Sequence, residues 1–151
     1  MAKLEMMPRA EWEKTVNEAL TGDPLWTVQA YRISMYAIAC HTFDRVHNTA
    51  LLRAPSLDQL TRAVGSVAAN IAEGYSRFTG PDRVRFYGYA LGSAREAIAW
   101  YGTLGTELGD VAAERQAMLV QVRRLLLTTV KRARTDATTF PAPKTRRRTH
   151  E

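Results

Sequence analysis

The chain of 151 residues fits one domain with an adequate core, and its ordinary composition calls for no metal or disulfide to fold. A single cysteine, Cys40, excludes an intramolecular disulfide, and no apolar run approaches the length of a membrane span. The net charge of +6 is segregated: residues 1 to 122 hold 12 Lys or Arg against 13 Asp or Glu, whereas residues 123 to 151 hold nine against two. Such segregation favours a polyanionic partner, nucleic acid before a membrane, because no amphipathic anchor accompanies the basic end. The competing reading is a solubilising tail that binds nothing in particular.

The N-terminal stretch alternates charged with apolar residues and has no signal-peptide core, so a cytoplasmic protein is expected. Residues 8 to 20, "PRAEWEKTVNEAL", predict a short helix with Pro8 at its start, and "TGDP" at 21 to 24 stops it. The first long helix is predicted over residues 25 to 47. "NTALLRAPS" then breaks the pattern, and Ser56 with Gln59 reads as a capping box for a second helix over residues 57 to 78. Leu57, Leu60, Val64, Val67, Ile71, Gly74 and Phe78 alternate steps of three and four along it, a heptad-like seam. "FTGPD" is the turn. A third helix over residues 82 to 108 keeps the same step through Val84, Tyr87, Leu91, Ala94, Ile98, Tyr101, Gly105 and Leu108. A fourth over residues 111 to 135 carries Met118, Val122, Leu125 and Thr129, with Leu119, Leu126, Val130 and Ala133 beside them.

No segment alternates with period two, and the links are short, so an all-α, antiparallel up-and-down four-helix bundle is predicted over residues 25 to 135. Residues 1 to 24 form an N-terminal helical extension. Residues 136 to 151, "DATTFPAPKTRRRTHE", combine two prolines, many threonines and a basic cluster, and predict a disordered basic tail.

Two helices are more apolar than one buried stripe requires. The first carries Val28, Tyr31, Met35 and Ile38 on one stripe and Ile33, Tyr36, Cys40 and Phe43 on another. The third adds Phe86, Ala90, Ser93, Ala97, Trp100 and Leu104 to its seam. Gly88, Gly92, Gly102 and Gly105 inside that helix would each cost about 1 kcal/mol against Ala, which close packing against another subunit would offset. The alternative is that they accommodate bulky neighbours such as Trp100 and Tyr101. Asn70 and Glu73 share one face of the second helix beside the seam. Asn70 can cap or cross-link backbone groups, and Glu73 can pair with Arg77 or Arg83. No histidine, second carboxylate or nucleophile accompanies them, so no catalytic residue is assigned.

"SVAANIAEG" followed by "RFYGYALGSARE" resembles the four helix bundle protein family, also called the 23S rRNA intervening-sequence protein family. The resemblance covers residues 25 to 135 and rests on Gln59, Arg62, Ser66, Asn70, Ile71, Ala72, Glu73 and Gly74, then on Ala90, Gly92, Ser93 and Glu96. It implies an up-and-down bundle assembling as a ring-like homopentamer, encoded within intervening sequences of large-subunit rRNA genes, with no established enzymatic activity. The chain is also similar to the accessory variability proteins of diversity-generating retroelements. That similarity implies basic pentamers that bind nucleic acid and a reverse transcriptase. The added N-terminal segment and basic tail depart from the commoner family pattern and pull toward a nucleic-acid role.

The leading expectation is therefore a non-enzymatic, RNA-binding scaffold acting as a homo-oligomeric ring, with no cofactor and no metal. Arg77, Arg83 and Arg85 near the second turn, Arg123, Arg124, Lys131, Arg132 and Arg134 on the last helix, and Lys144, Arg146, Arg147 and Arg148 in the tail are the candidate phosphate contacts. The alternative is a protein-interaction adaptor serving a reverse transcriptase. An enzyme is disfavoured: His41 and His47 share no helix face, His150 is in the tail, and no phosphate-binding glycine loop or metal-ligand pair is present.

Overall fold

Four long helices carry the fold in the computed structural model, which describes residues 4 to 139, with side chains through 135. They are α1 (Gln29–His47), α2 (Leu57–Tyr75), α3 (Gly80–Gly102) and α4 (Asp110–Thr139). Each packs against its neighbours in sequence, and α1 also packs against α4, which closes an antiparallel up-and-down bundle. No strand occurs among the described residues.

The seams meet as their spacing predicts. Leu60, Val64, Val67, Ile71 and Gly74 of α2 are buried, as are Tyr87, Ala94 and Tyr101 of α3. On α4 the buried stripe is Leu119, Val122, Leu126 and Val130, while Met118 and Leu125 are half-buried beside it. One end of the core joins Tyr31, Ile71, Tyr87 and Val130, and the other joins Leu51, Leu60, Tyr101 and Leu119. Gly74 belongs to the seam because a larger residue has no room: a Cβ there would lie 2.7 Å from the Tyr87 ring.

The boundaries differ from those predicted, each for a local reason. Pro24–Thr27 forms a 3₁₀ turn, with the Asp23 carboxylate accepting from the Leu25 N–H at 2.9 Å, so α1 starts only at Gln29. The predicted capping box at Ser56 and Gln59 does not form. Ser56 already has helical backbone (φ −85°, ψ 0°), whereas a capping hydroxyl needs an extended residue to reach the first N–H groups. Helix α2 stops at Tyr75, and Thr79, extended, accepts from the Asp82 N–H at 3.3 Å to cap α3. Phe78 therefore lies between the helices, fully exposed, and is not part of the α2 seam.

Helix α3 ends at Gly102. Gly105 and Leu108 of its predicted seam belong to a separate turn, Gly105–Leu108, closed by Gly109 in the left-handed region at φ +56°. Helix α4 runs to Thr139, past the predicted boundary at residue 135, and the rest of the predicted tail lies outside the described residues.

The extension preceding α1 is two short helices, Arg9–Glu13 and Glu18–Thr21. It packs on α1: the Trp12 ring lies 5.5 Å from Tyr36 and 6.3 Å from Trp26, and the Tyr36 hydroxyl donates to the Met7 carbonyl. The second apolar stripe of α1 is thus partly covered by the chain's own N-terminal segment. The second stripe of α3 is likewise met inside the chain, since Ala90, Ala97 and Leu104 are buried and Ser93 bonds across to α2. A doubled stripe alone does not require a second subunit.

The glycines behave differently. A Cβ added at Gly88, Gly92 or Gly105 would meet no atom within 4 Å, so packing inside the chain does not explain them and they do not make room for Trp100 or Tyr101. At Gly102 a Cβ would approach the Gln116 side chain to 3.0 Å.

Candidate nucleic-acid interface

The antiparallel α3–α4 pair decides where the basic residues go. Its short connection puts the first turns of α3 beside the last turns of α4, as Tyr87 and Val130 in one core cluster require. Arg77, Arg83 and Arg85 therefore share one end of the bundle with Lys131, Arg132 and Arg134. Arg123 and Arg124 lie further along α4, about 15 Å from Arg134 at the helical rise of ~1.5 Å per residue. Lys131, Arg132 and Arg134 are exposed, as is Arg124, and Arg123 is half-buried. Among the described residues none of these five forms an ion pair. Lys144, Arg146, Arg147 and Arg148 lie outside the described residues.

At the α2–α3 turn the arginines are organised around an aromatic ring. The Arg77 guanidinium lies 4.5 Å and that of Arg85 5.0 Å from the Phe86 ring centre. Glu73 accepts from Arg77 at 3.0 Å, and Asp82 is 3.7 Å from Arg85. Arg83 Nε donates to the Arg77 carbonyl at 2.7 Å, which ties the turn to α3. Tyr89 meets Phe86 edge to face at 5.7 Å, and is more than half exposed. Sequence reading placed Phe86 on an apolar stripe and overlooked this cluster, although aromatic residues interleaved with arginines in "SRFTGPDRVRFYGY" were a visible signal.

The motif residues knit α2 to α3. Asn70 Nδ2 donates to the Ser66 carbonyl and hydroxyl, both at 2.9 Å, and the Ser93 hydroxyl donates to Ser66 Oγ at 3.0 Å. Glu96 accepts from the Trp100 indole at 3.3 Å. Asn70 thus fixes Ser66, through which Ser93 bonds α3 to α2, and Glu73 orients Arg77. Gln59 and Arg62 are exposed on α2. Among the described residues no three His, Cys, Asp or Glu side chains converge to hold a metal, and no helix is long and apolar enough to cross a membrane.

A profile described as 23S rRNA-intervening sequence protein matches residues 41–124, just over half of the chain. The chain belongs to that family. The matched region spans the Ser66–Asn70–Ser93 cross-link and the α2–α3 turn, and it ends at Arg124, before the last basic turns of α4. No curated protein and no solved structure matches the chain significantly.

Two polar pairs between helices, one buried and one partly so, lie within the family region and were not predicted. Arg115 on α4 holds Asp44 on α1 through two hydrogen bonds, Nε to Oδ2 at 2.9 Å and Nη2 to Oδ1 at 2.8 Å. Both are buried. Burial works against the Arg115 charge, but the hydrogen bonds and the charge of Asp44 outweigh it and raise its pKa overall.

His41, also buried, is bonded to Thr61 on α2 at 2.8 Å. The Thr61 hydroxyl donates to the Leu57 carbonyl, so His41 Nε2 is the donor, and Nδ1 is left unprotonated without a partner. Burial first, and then Arg45, lower the His41 pKa from 6.5 to about 4.

A depressed histidine pKa means that the unfolded chain takes up the proton first. Its contribution to stability is full above pH 6.5 and is lost as pH falls toward 4. Between pH 7 and pH 4 the stability measured by unfolding should fall by roughly 3 kcal/mol through this group. His41→Gln should flatten the decline between pH 6.5 and 5, where unperturbed carboxylates scarcely titrate. An unchanged slope would rule out His41 as its source.

Proposed function

We propose that this protein is a non-enzymatic RNA-binding scaffold that works as a ring-like homo-oligomer of five copies in the cytoplasm. The observation that carries the reading is the gathering of Arg77, Arg83, Arg85, Lys131, Arg132 and Arg134 at one end of the bundle. Phosphate binding by such groups releases counterions and needs no sequence-specific pocket. The family is named for an intervening sequence of 23S rRNA, which favours RNA among the polyanions. A ring would present the basic end several times over and multiply a weak site.

Polarisation titrations with a structured RNA at 50 mM and 200 mM salt test the binding. Affinity should fall steeply with salt and depend weakly on sequence. No binding below about 10 μM at the lower salt would overturn the reading, because nonspecific electrostatic contact alone is visible there. An adaptor that docks an acidic surface of a partner protein would then account for the same basic end.

Assembly is supported by Gly88 and Gly92, one turn apart on α3 and open to solvent. A Leu at position 92 meets nothing inside the chain and improves helix propensity by nearly 1 kcal/mol. Gly92→Leu should therefore keep its helix content and melting temperature while its mass by light scattering falls toward the 16.9 kDa monomer. A wild-type monomer overturns the assembly. An unchanged oligomer in the variant moves the interface off this face.

A further inference from the structure

We infer that the α2–α3 turn is a stacking platform for unpaired RNA bases, so that the protein selects single-stranded or looped RNA over duplex. The inference rests on the RNA-binding reading and names its substrate. Phe78 is 101% exposed, so the fold derives no burial from it. A fully hydrated phenylalanine on a turn of Ser, Arg, Thr and Gly is not explained by folding. Phe86 and Tyr89 follow on the first turns of α3, set edge to face, with Arg77 and Arg85 over the Phe86 ring.

Glu73 and Asp82 hold those two guanidiniums near the ring before any ligand arrives. The surface thus offers the exposed rings of Phe78 and Tyr89 together with the guanidiniums held on Phe86. Duplex RNA hides its base faces within the stack and presents phosphates and sugar edges, whereas unpaired bases can be laid on aromatic rings and guanidinium planes. Arg83 and the α4 residues Lys131, Arg132 and Arg134, at the same end, can follow the backbone of such a strand.

Other occupants fit less well. An acidic peptide would satisfy the arginines and leave the aromatic rings without partners. A second copy docking through the same end would bring two sets of six basic residues together, with only Glu73 and Asp82 of the turn against them.

The test is a polarisation titration of one RNA sequence, single-stranded and annealed to its complement, at one salt concentration. Wild-type protein should bind the single strand more tightly. Phe78→Ala should weaken single-strand binding about 5- to 150-fold, the range for loss of one stacked base, while duplex affinity and the salt slope stay unchanged. Phe78→Trp should restore the preference. Because Phe78 packs on nothing, the Ala variant should melt as wild type does.

Equal affinity of wild type for both RNAs, or indifference of single-strand binding to Phe78→Ala, would overturn the platform and leave electrostatic RNA binding standing. A fall in particle mass on Phe78→Ala would make the patch a contact between copies and overturn it as well. Absence of any RNA binding by wild type would remove both readings together.

Discussion

Asp44→Ala should lower the unfolding free energy by about 3–5 kcal/mol, the largest stability loss expected of any single substitution outside the apolar core. The carboxylate receives two hydrogen bonds from Arg115 in a setting where both side chains are buried. Removing it leaves a buried guanidinium that cannot deprotonate and has lost both of these hydrogen bonds. Against a total stability of typically 5–15 kcal/mol, much of the fold's margin would go.

The loss is a cost of breaking the pair and does not measure what the pair contributes. Desolvating two charges consumes most of their attraction, so Asp44→Leu combined with Arg115→Met should be close to neutral. Urea unfolding of the single and double variants decides between these accounts. If Asp44→Ala lost less than about 1 kcal/mol, in the range of an exposed pair, the burial would not be felt as described.

Replacing Arg123, Arg124, Lys131, Arg132 and Arg134 together with Gln should remove most RNA affinity at physiological salt. Each lost phosphate contact takes about 0.7 off the logarithmic salt slope for a single strand, so the slope should flatten by up to about 3.5. The helix should survive, because Gln is nearly as good a helix former as Arg or Lys. It has no ion pair to lose among the described residues. Circular dichroism verifies the helix, and titrations across salt concentrations give the slope. Retained affinity with an unchanged slope would take α4 out of the interface. The remaining Arg77, Arg83 and Arg85 at the α2–α3 turn would then have to carry the binding.

The bundle was legible because steps of three and four persist across each core helix, and buried stripes of that period admit one packing scheme. Helix ends were less legible. Phe78 falls four residues after Gly74 and so continues the α2 period, yet Thr79 takes an extended backbone to cap α3 and ends the pattern first. The partners of Asp44 and His41 had no local signature. Asp44 and Arg115 are 71 positions apart, and His41 and Thr61 are 20 apart on different helices, so only the packed bundle brings them together.

Asn70 was better exposed to sequence reasoning, because its main partner Ser66 is one turn away on the same helix, where spacing alone implies contact. Glu73 and Arg77 were legible for the same reason. The doubled stripe on α1 suggested a missing subunit. Part of the missing partner is the extension, whose Trp12 reaches Tyr36 across a stretch of sequence that periodicity does not link.

Cys40 gives the bundle a chemical clock. It is the chain's only cysteine, it sits on α1 with no exposed surface, and burial pushes its thiol pKa up. A thiol reagent cannot reach it in the closed state, and reaction requires the thiolate. Each modification event therefore marks one separation of α1 from its neighbours. With a single reporter there is a single rate to interpret, and its dependence on reagent concentration separates the frequency of opening from its equilibrium population.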